Sequence, residues 1–120
     1  MVLLFIADSF TRAKANGMKF TTLLPLTDNQ GDSQSDKVES IVQSLAVQFG
    51  GCSMEGVVDG RWFDAGTEYR DQSLRVTVVC DNDRLDDARQ RVIEIGRELG
   101  QIAMYFEVRD YDGVQFLRME

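Results

Sequence analysis

The clearest pattern of hydrophobic and polar positions in this chain lies at residues 74–80. Apolar residues occupy every second position, and Arg75 and Thr77 stand between them. Alternation with a period of two, together with several β-branched residues, predicts a strand with one face in a core. A helical pattern follows at once and a further strand pattern follows that. The segment therefore opens a strand–helix–strand unit, and we expect it at the centre of a sheet.

Two segments have apolar residues at the three- and four-residue spacing of an amphipathic helix. They predict helices over residues 36–49 and 84–99. Gly50 follows the first segment and Gly100 follows the second, as is common where a helix ends. Each helix should bury one apolar stripe, formed in the first by Val38, Ile41, Val42, Leu45 and Phe49 and in the second by Leu85, Ala88, Val92, Ile95 and Leu99.

Shorter strand patterns flank these helices. One covers residues 20–24, before Pro25, and two pairs surround the dipeptides Asp59-Gly60 and Asp112-Gly113. Asp-Gly between apolar runs favours a two-residue hairpin turn. We therefore predict hairpins joining residues 52–58 to 61–65 and 103–111 to 114–117, with a polar loop over 64–73. The order predicts an α+β ferredoxin-like sandwich, with two helices on one face of an antiparallel sheet and two β-hairpin additions.

The chain of 120 residues is long enough for one packed domain, and the strand pattern begins just after Met18. We expect a single domain over residues 18–120. Residues 1–17 should form an extension that is disordered, loosely packed, or upstream of the natural start. The apolar run inside this extension is too short to span a membrane. These features predict a cytoplasmic protein.

The composition narrows the range of functions. The net charge of −7 makes non-specific binding to nucleic acid or to anionic membranes unfavourable. Histidine is absent, which removes the commonest general base and metal ligand. Cys52 and Cys80 have neither CxxC spacing nor a histidine partner, so we interpret both as buried apolar residues on strands, with a disulfide between them as the minor alternative. We predict no catalytic residue, no metal site and no cofactor.

Several short motifs give the chain a family resemblance. They are Leu23 to Asp28 (LLPLTD) with Gly31, then Gly50-Gly51, Gly60-Arg61-Trp62 and Tyr69 to Ser73. Together they resemble the uncharacterised DUF3574 family over about residues 20–108. The resemblance implies a small domain of similar size and assigns no catalytic residue. Many members carry a lipoprotein-type signal segment that this chain lacks, so the resemblance does not extend to an exported location.

The sheet face opposite the helices is the main candidate site. By alternation it should carry Arg75, Thr77, Tyr105, Glu107 and Arg109, with Trp62 nearby. Arginine and aromatic side chains on one flat surface are typical of an interface, and they also suit a planar anionic ligand. A solvated face with paired charges is the alternative.

Two acidic stretches have a structural and a metal-binding interpretation. Asp81, Asp83, Asp86 and Asp87 stand where a helix begins, a position that favours negative charge without any metal. The stretch from Asp28 to Asp32 is rich in turn-forming residues. We predict structural roles for both stretches.

Three hypotheses about function follow. The first is a domain that acts by association, as a homodimer or by binding a protein partner. The second is a small-ligand sensor or sequestering protein that uses the open face. The third is a cofactor-independent enzyme on a dimeric scaffold, for which the sequence provides no catalytic motif.

Overall fold

A computed structural model describes residues 17–111 together with Leu117 and Met119. The elements are β1 (Gly17–Pro25), α1 (Ser35–Phe49), β2 (Ser53–Asp64), β3 (Thr67–Asp81), a short 3₁₀ helix (Asn82–Arg84), α2 (Leu85–Glu98) and β4 (Phe106–Tyr111). The four strands form an antiparallel sheet in the order β2-β3-β1-β4. This is the ferredoxin-like α+β sandwich that the sequence predicts.

The core lies between one face of the sheet and the two helices. From β1 and β3 it receives alternating residues such as Phe20, Val76 and Val78, which are fully buried. The predicted helix stripes are confirmed, since all their members are buried except Leu85, which is partly buried. Helix α1 ends at Gly50, whose φ of 87° is the left-handed value that glycine adopts without strain.

The β2 region differs from the prediction. Strand β2 continues through Asp59 and Gly60, and the residues up to Asp64 pair with residues 67–73, so the hairpin predicted at Asp59-Gly60 and the loop predicted over 64–73 are both wrong. The turn lies at Ala65-Gly66, where both residues have positive φ. A long partner strand outweighs a local turn signal, because continuous pairing from Val57 to Asp64 forms more backbone hydrogen bonds than a turn at Asp59-Gly60 would allow.

The boundaries of the first and last strands also differ from the prediction. β1 begins at Gly17 rather than Phe20, so one residue of the predicted extension belongs to the sheet. β4 begins at Phe106, and residues 103–105 precede it without strand pairing. The turn predicted at Asp112-Gly113 and the rest of the predicted extension lie outside the described residues.

Candidate functional site

The face of the sheet opposite the helices carries a polar groove of about 250 Å³. We define the groove by its lining side chains: Lys19 and Thr21 from β1, Arg75 and Thr77 from β3, Glu107 and Arg109 from β4, and Glu55 from β2. Register brings them together, since Thr21 lies opposite both Thr77 and Glu107. Alternation then turns the neighbouring apolar residues of each strand towards the helices.

Glu55 reaches the groove through a break in strand pairing. Met54 pairs with Val76 and Val57 pairs with Leu74, so Glu55 and Gly56 together stand opposite the single residue between them on β3. This is the geometry of a β-bulge, and Gly56 adopts the positive φ of 102° that favours glycine. The bulge gives β2 an acidic side chain in the groove.

The floor of the groove is a directed chain of hydrogen bonds. The Thr77 hydroxyl donates to Glu55 Oε1 over 2.5 Å. A hydroxyl has one proton to donate, so the 3.0 Å contact between the Thr21 and Thr77 hydroxyls must be donated by Thr21. Both threonines are only 4% exposed. Thr21, Thr77 and Glu55 are therefore held in one relative orientation.

Two arginines and two glutamates form a second network above this floor. Arg75 donates through Nε to Glu55 Oε1 at 3.3 Å, and its Nη2 lies 3.6 Å from Glu107 Oε1. Arg109 Nη2 donates to Glu107 Oε2 at 3.2 Å. The Arg109 side chain is 70% exposed, so its ion pair contributes little to stability. The bridging position of Arg75 fixes the spacing of the two carboxylates.

The surroundings of both glutamates favour their ionised form. The hydrogen bond from Thr77 lowers the pKa of Glu55, and the charges of Lys19 and Arg75 lower it further against the effect of burial. The hydrogen bond from Arg109 lowers the pKa of Glu107, with smaller contributions from the Tyr105 side chain and the charge of Arg75. Both are therefore carboxylates at neutral pH, and neither is suited to act as a general acid there.

The six residues predicted for this face do not all meet. Arg75, Thr77, Glu107 and Arg109 line the groove together. Tyr105 precedes β4 and is not part of the groove lining, although its side chain lies close enough to Glu107 to lower the pKa of that carboxyl. The carbonyl of Tyr105 accepts a hydrogen bond of 2.8 Å from Thr22. Trp62 pairs with Tyr69 instead, six residues from Arg75 along β3, which corresponds to about 20 Å.

Sequence reasoning missed three residues of the groove. Lys19 and Thr21 alternate with Met18, Phe20 and Thr22, so the period-two pattern of β1 contained enough information to find them. Glu55 depends on the bulge, and Gly56 was the only local signal for it.

The two cysteines lie away from this groove, and neither forms a disulfide. Burial raises the pKa of the Cys80 thiol to about 11. It also raises the pKa of Cys52, whose Sγ donates to the carbonyl of Val42. Cys80 is buried in β3 as predicted, whereas the prediction for Cys52 is wrong, because Cys52 precedes β2 and is only partly buried. Both thiols are protonated at neutral pH, which makes them poor nucleophiles.

The acidic stretches have structural contacts. Asp28 Oδ1 accepts backbone hydrogen bonds from Gln30 and Asp32, each 2.9 Å long, which closes a turn. This turn borders a second cleft of about 610 Å³ beside the start of α1 and the end of α2. Asp86 pairs with Arg89 of α2, and Asp87 pairs with Arg84 of the preceding 3₁₀ helix. No group of three potential metal ligands occurs within the described part of the chain.

Solved structures similar to this chain share its fold. A phage SAM lyase in complex with S-methyl-5′-thioadenosine has a TM-score of 0.66 at 10% identity, over 80% of this chain and 82% of the lyase. CutA from Synechococcus elongatus has a TM-score of 0.60 at 12% identity, over 82% of this chain and 80% of its own. CutA1 from Oryza sativa has a TM-score of 0.59 at 10% identity, over 86% of each chain.

Comparisons with family profiles and with curated protein sequences give no match. Identities this low carry information about the fold alone. In the described part of the chain, no helix is both long enough and apolar enough to cross a membrane.

Proposed function

We propose that this small ferredoxin-like domain acts by association, and that its partner is a second copy of the same chain. The observation that carries the proposal is a two-stranded arm, which we define as residues 59–71. β1 pairs with β3 as far as Ser73, and the Leu26 amide still donates to the carbonyl of Gln72. Beyond Gln72, β2 and β3 pair only with each other among the described residues. A two-stranded hairpin is marginally stable in water by itself. A partner surface would stabilise this arm.

The arm exposes aromatic residues on the same sheet face as the groove. Trp62 and Tyr69 face each other across the two strands and are 48% and 51% exposed. Alternation along β3 places Tyr69 on the side of Arg75 and Thr77. Trp and Tyr are the residue types that most often dominate the energy of a protein interface. The arm and the groove therefore form one continuous surface.

Charge favours a two-fold arrangement of this surface. On the groove side of the arm, alternation places the carboxylates of Asp64 and Asp71, whereas Arg61 and Arg70 face the opposite side with Phe63. The groove carries three cations and two carboxylates. In a symmetric dimer the same patch meets itself, so the acidic arm of one copy can lie over the more basic groove of the other. From the strand spacings, the arm and the sheet face together cover a flat area of about 600 Å². Projecting side chains increase the accessible area of this surface towards the ~800 Å² that each partner buries in a stable interface.

The experiment is size-exclusion chromatography with light scattering at several protein concentrations. The unmodified chain should be a dimer, and Trp62→Ala with Tyr69→Ala should raise its dissociation constant at least 100-fold, the loss expected for two interface anchors. Phe63→Ala is the matched control. It lies on the same arm, is 75% exposed, and faces the opposite side of the ribbon.

The control should change the dissociation constant less than threefold. Circular dichroism would establish that all variants are folded. A monomer at 100 μM, or a double variant that dimerises like the unmodified chain, would rule out self-association through this surface.

A second candidate function, small-molecule binding, is supported by the groove itself. Its buried threonines and the Glu55 carboxylate are polar groups that hydrogen bonds already orient in the groove. The phage lyase that shares the fold was solved in complex with a small molecule, S-methyl-5′-thioadenosine. Membership of DUF3574 and a cytoplasmic location stay predictions.

A further inference from the structure

Two charged groups in the groove, the Glu55 carboxylate and the Lys19 ammonium group, can each bind a further group of opposite charge. Thr77 and Arg75 both donate to Oε1 of Glu55, and Oε2 receives no hydrogen bond from the described residues. Lys19 forms no ion pair with a residue of the described ranges. Its charge nevertheless acts on Glu55 from across the groove. The groove thus presents an ammonium group on β1 and a carboxylate oxygen on β2.

Ligands with charge of only one sign fit this arrangement poorly. An anion near Lys19 would meet the carboxylates of Glu55 and Glu107, and a cation near Glu55 would meet Lys19 and Arg75. Like charges at such distances disfavour binding. A small molecule that carries both signs can place each charge against its opposite, so the groove selects a zwitterion.

The size of the groove limits the ligand further. A volume of about 250 Å³ holds roughly eight water molecules at 30 Å³ each. Drug-sized ligands occupy pockets of about 300–1,000 Å³, so the groove suits a smaller molecule. The Glu55 carboxylate is already held by hydrogen bonds from Arg75 and Thr77, so it loses little conformational freedom when a ligand binds.

We propose that this groove binds a small α-amino acid, with the carboxylate of the ligand at Lys19 and its ammonium group at Glu55. The site is built within one chain. It therefore does not require self-association, and it names a ligand class for the second candidate function, small-molecule binding. The arm of a second copy would occupy the same groove as the amino acid. The thermal test is therefore also made on the variant Trp62→Ala with Tyr69→Ala, whose groove no arm would cover, so that the two proposals can fail separately.

The direct test is thermal unfolding with glycine, L-alanine and L-methionine, each added separately over a range up to 20 mM. At least one should raise the melting temperature saturably, by about 5 °C when its concentration is ten times its dissociation constant. Propionate and ethylammonium at equal ionic strength carry the two charges of alanine on separate molecules and should not do so. Absence of a saturable rise with all three amino acids, or an equal rise with either single-charge ion, overturns the proposal.

Variants locate the site. Lys19→Met and Glu55→Gln should each weaken binding at least tenfold, because each removes one charge-assisted hydrogen bond. Glu55→Gln keeps an oxygen that accepts from Thr77. Lys37→Met, which removes an exposed lysine of α1, is the matched control and should bind like the unmodified chain. Unchanged binding by both groove variants overturns the assignment.

A measurement on the unmodified chain guards against variants that fail to fold. Amide chemical shifts in ¹H–¹⁵N spectra should change with the added amino acid around Lys19, Glu55 and Thr77. Changes confined to other parts of the chain would overturn the proposal.

Discussion

Substituting Ala65 by asparagine should stabilise the protein. Strands β2 and β3 pair as far as Asp64 and Thr67, which leaves Ala65 and Gly66 as a two-residue turn with φ values of 50° and 80°. Positive φ at both positions is the type I′ geometry of tight hairpins. Ala65 is the single residue other than glycine with positive φ in the described part of the chain.

The expected gain follows from the strain at this position. A left-handed conformation costs an L-residue about 1–2 kcal/mol, whereas asparagine adopts it more readily and is favoured at this turn position. Ala65→Asn should therefore raise the free energy of unfolding by about 1 kcal/mol, and the melting temperature by about 4 °C. Ala65→Val should lower both, because a β-branched residue tolerates positive φ poorly.

Urea unfolding and calorimetry would measure the global effect, and amide hydrogen exchange would measure the arm separately. If the arm opens independently of the rest of the protein, the exchange of its amide hydrogens should slow by about fivefold in Ala65→Asn. A fivefold change in the opening equilibrium corresponds to the same gain of about 1 kcal/mol. Asp59→Asn is the matched control. The asparagine oxygen can still accept the 3.0 Å hydrogen bond from Gln72, so stability should change by less than about 0.5 kcal/mol.

Failure of Ala65→Asn to stabilise either the protein or the arm would refute this reasoning. A gain in stability from Asp59→Asn instead would indicate that the turn lies at Asp59-Gly60.

Three further predictions concern the core, the groove and the acidic run. Val78 is fully buried, so Val78→Asp should cost several kcal/mol and leave no cooperative unfolding transition, whereas Val79→Asp, on the other face and opposite Lys19, should fold. The pKa of Glu55 in the folded protein lies below its usual value of 4.5. The ionised Glu55 therefore stabilises the fold above pH 4.5, and this contribution is lost as the pH falls through the pKa of the folded state. The destabilisation caused by Thr77→Val should therefore be smaller at pH 3 than at pH 7 in urea unfolding, and an equal effect at both would contradict the assigned hydrogen bond. Millimolar calcium or magnesium should not raise the melting temperature, and a saturable rise that disappears in Asp83→Asn would show that the acidic run binds metal.

The sequence alone determined the elements that bury one face. Val76 and Val78 alternate with polar neighbours, and Ile41, Leu45 and Val92 lie in helical stripes. Such periodicities are sufficient to predict these elements, because burial of apolar area drives folding and each period matches either a helix or a strand. The alternation also placed Arg75, Thr77, Glu107 and Arg109 on the opposite face.

Only the tertiary structure decided the arm, the bulge and the contents of the groove. Residues 59–71 are largely exposed, so no buried face fixes the register in which these two strands pair. The position of the turn therefore depends on which strand is available as a partner. Glu55 enters the groove because two residues of β2 stand opposite one of β3, which is a property of the pair of strands. The spacing of Arg75 from Glu55 and Glu107 likewise depends on strands that are far apart in the chain and meet only in the sheet.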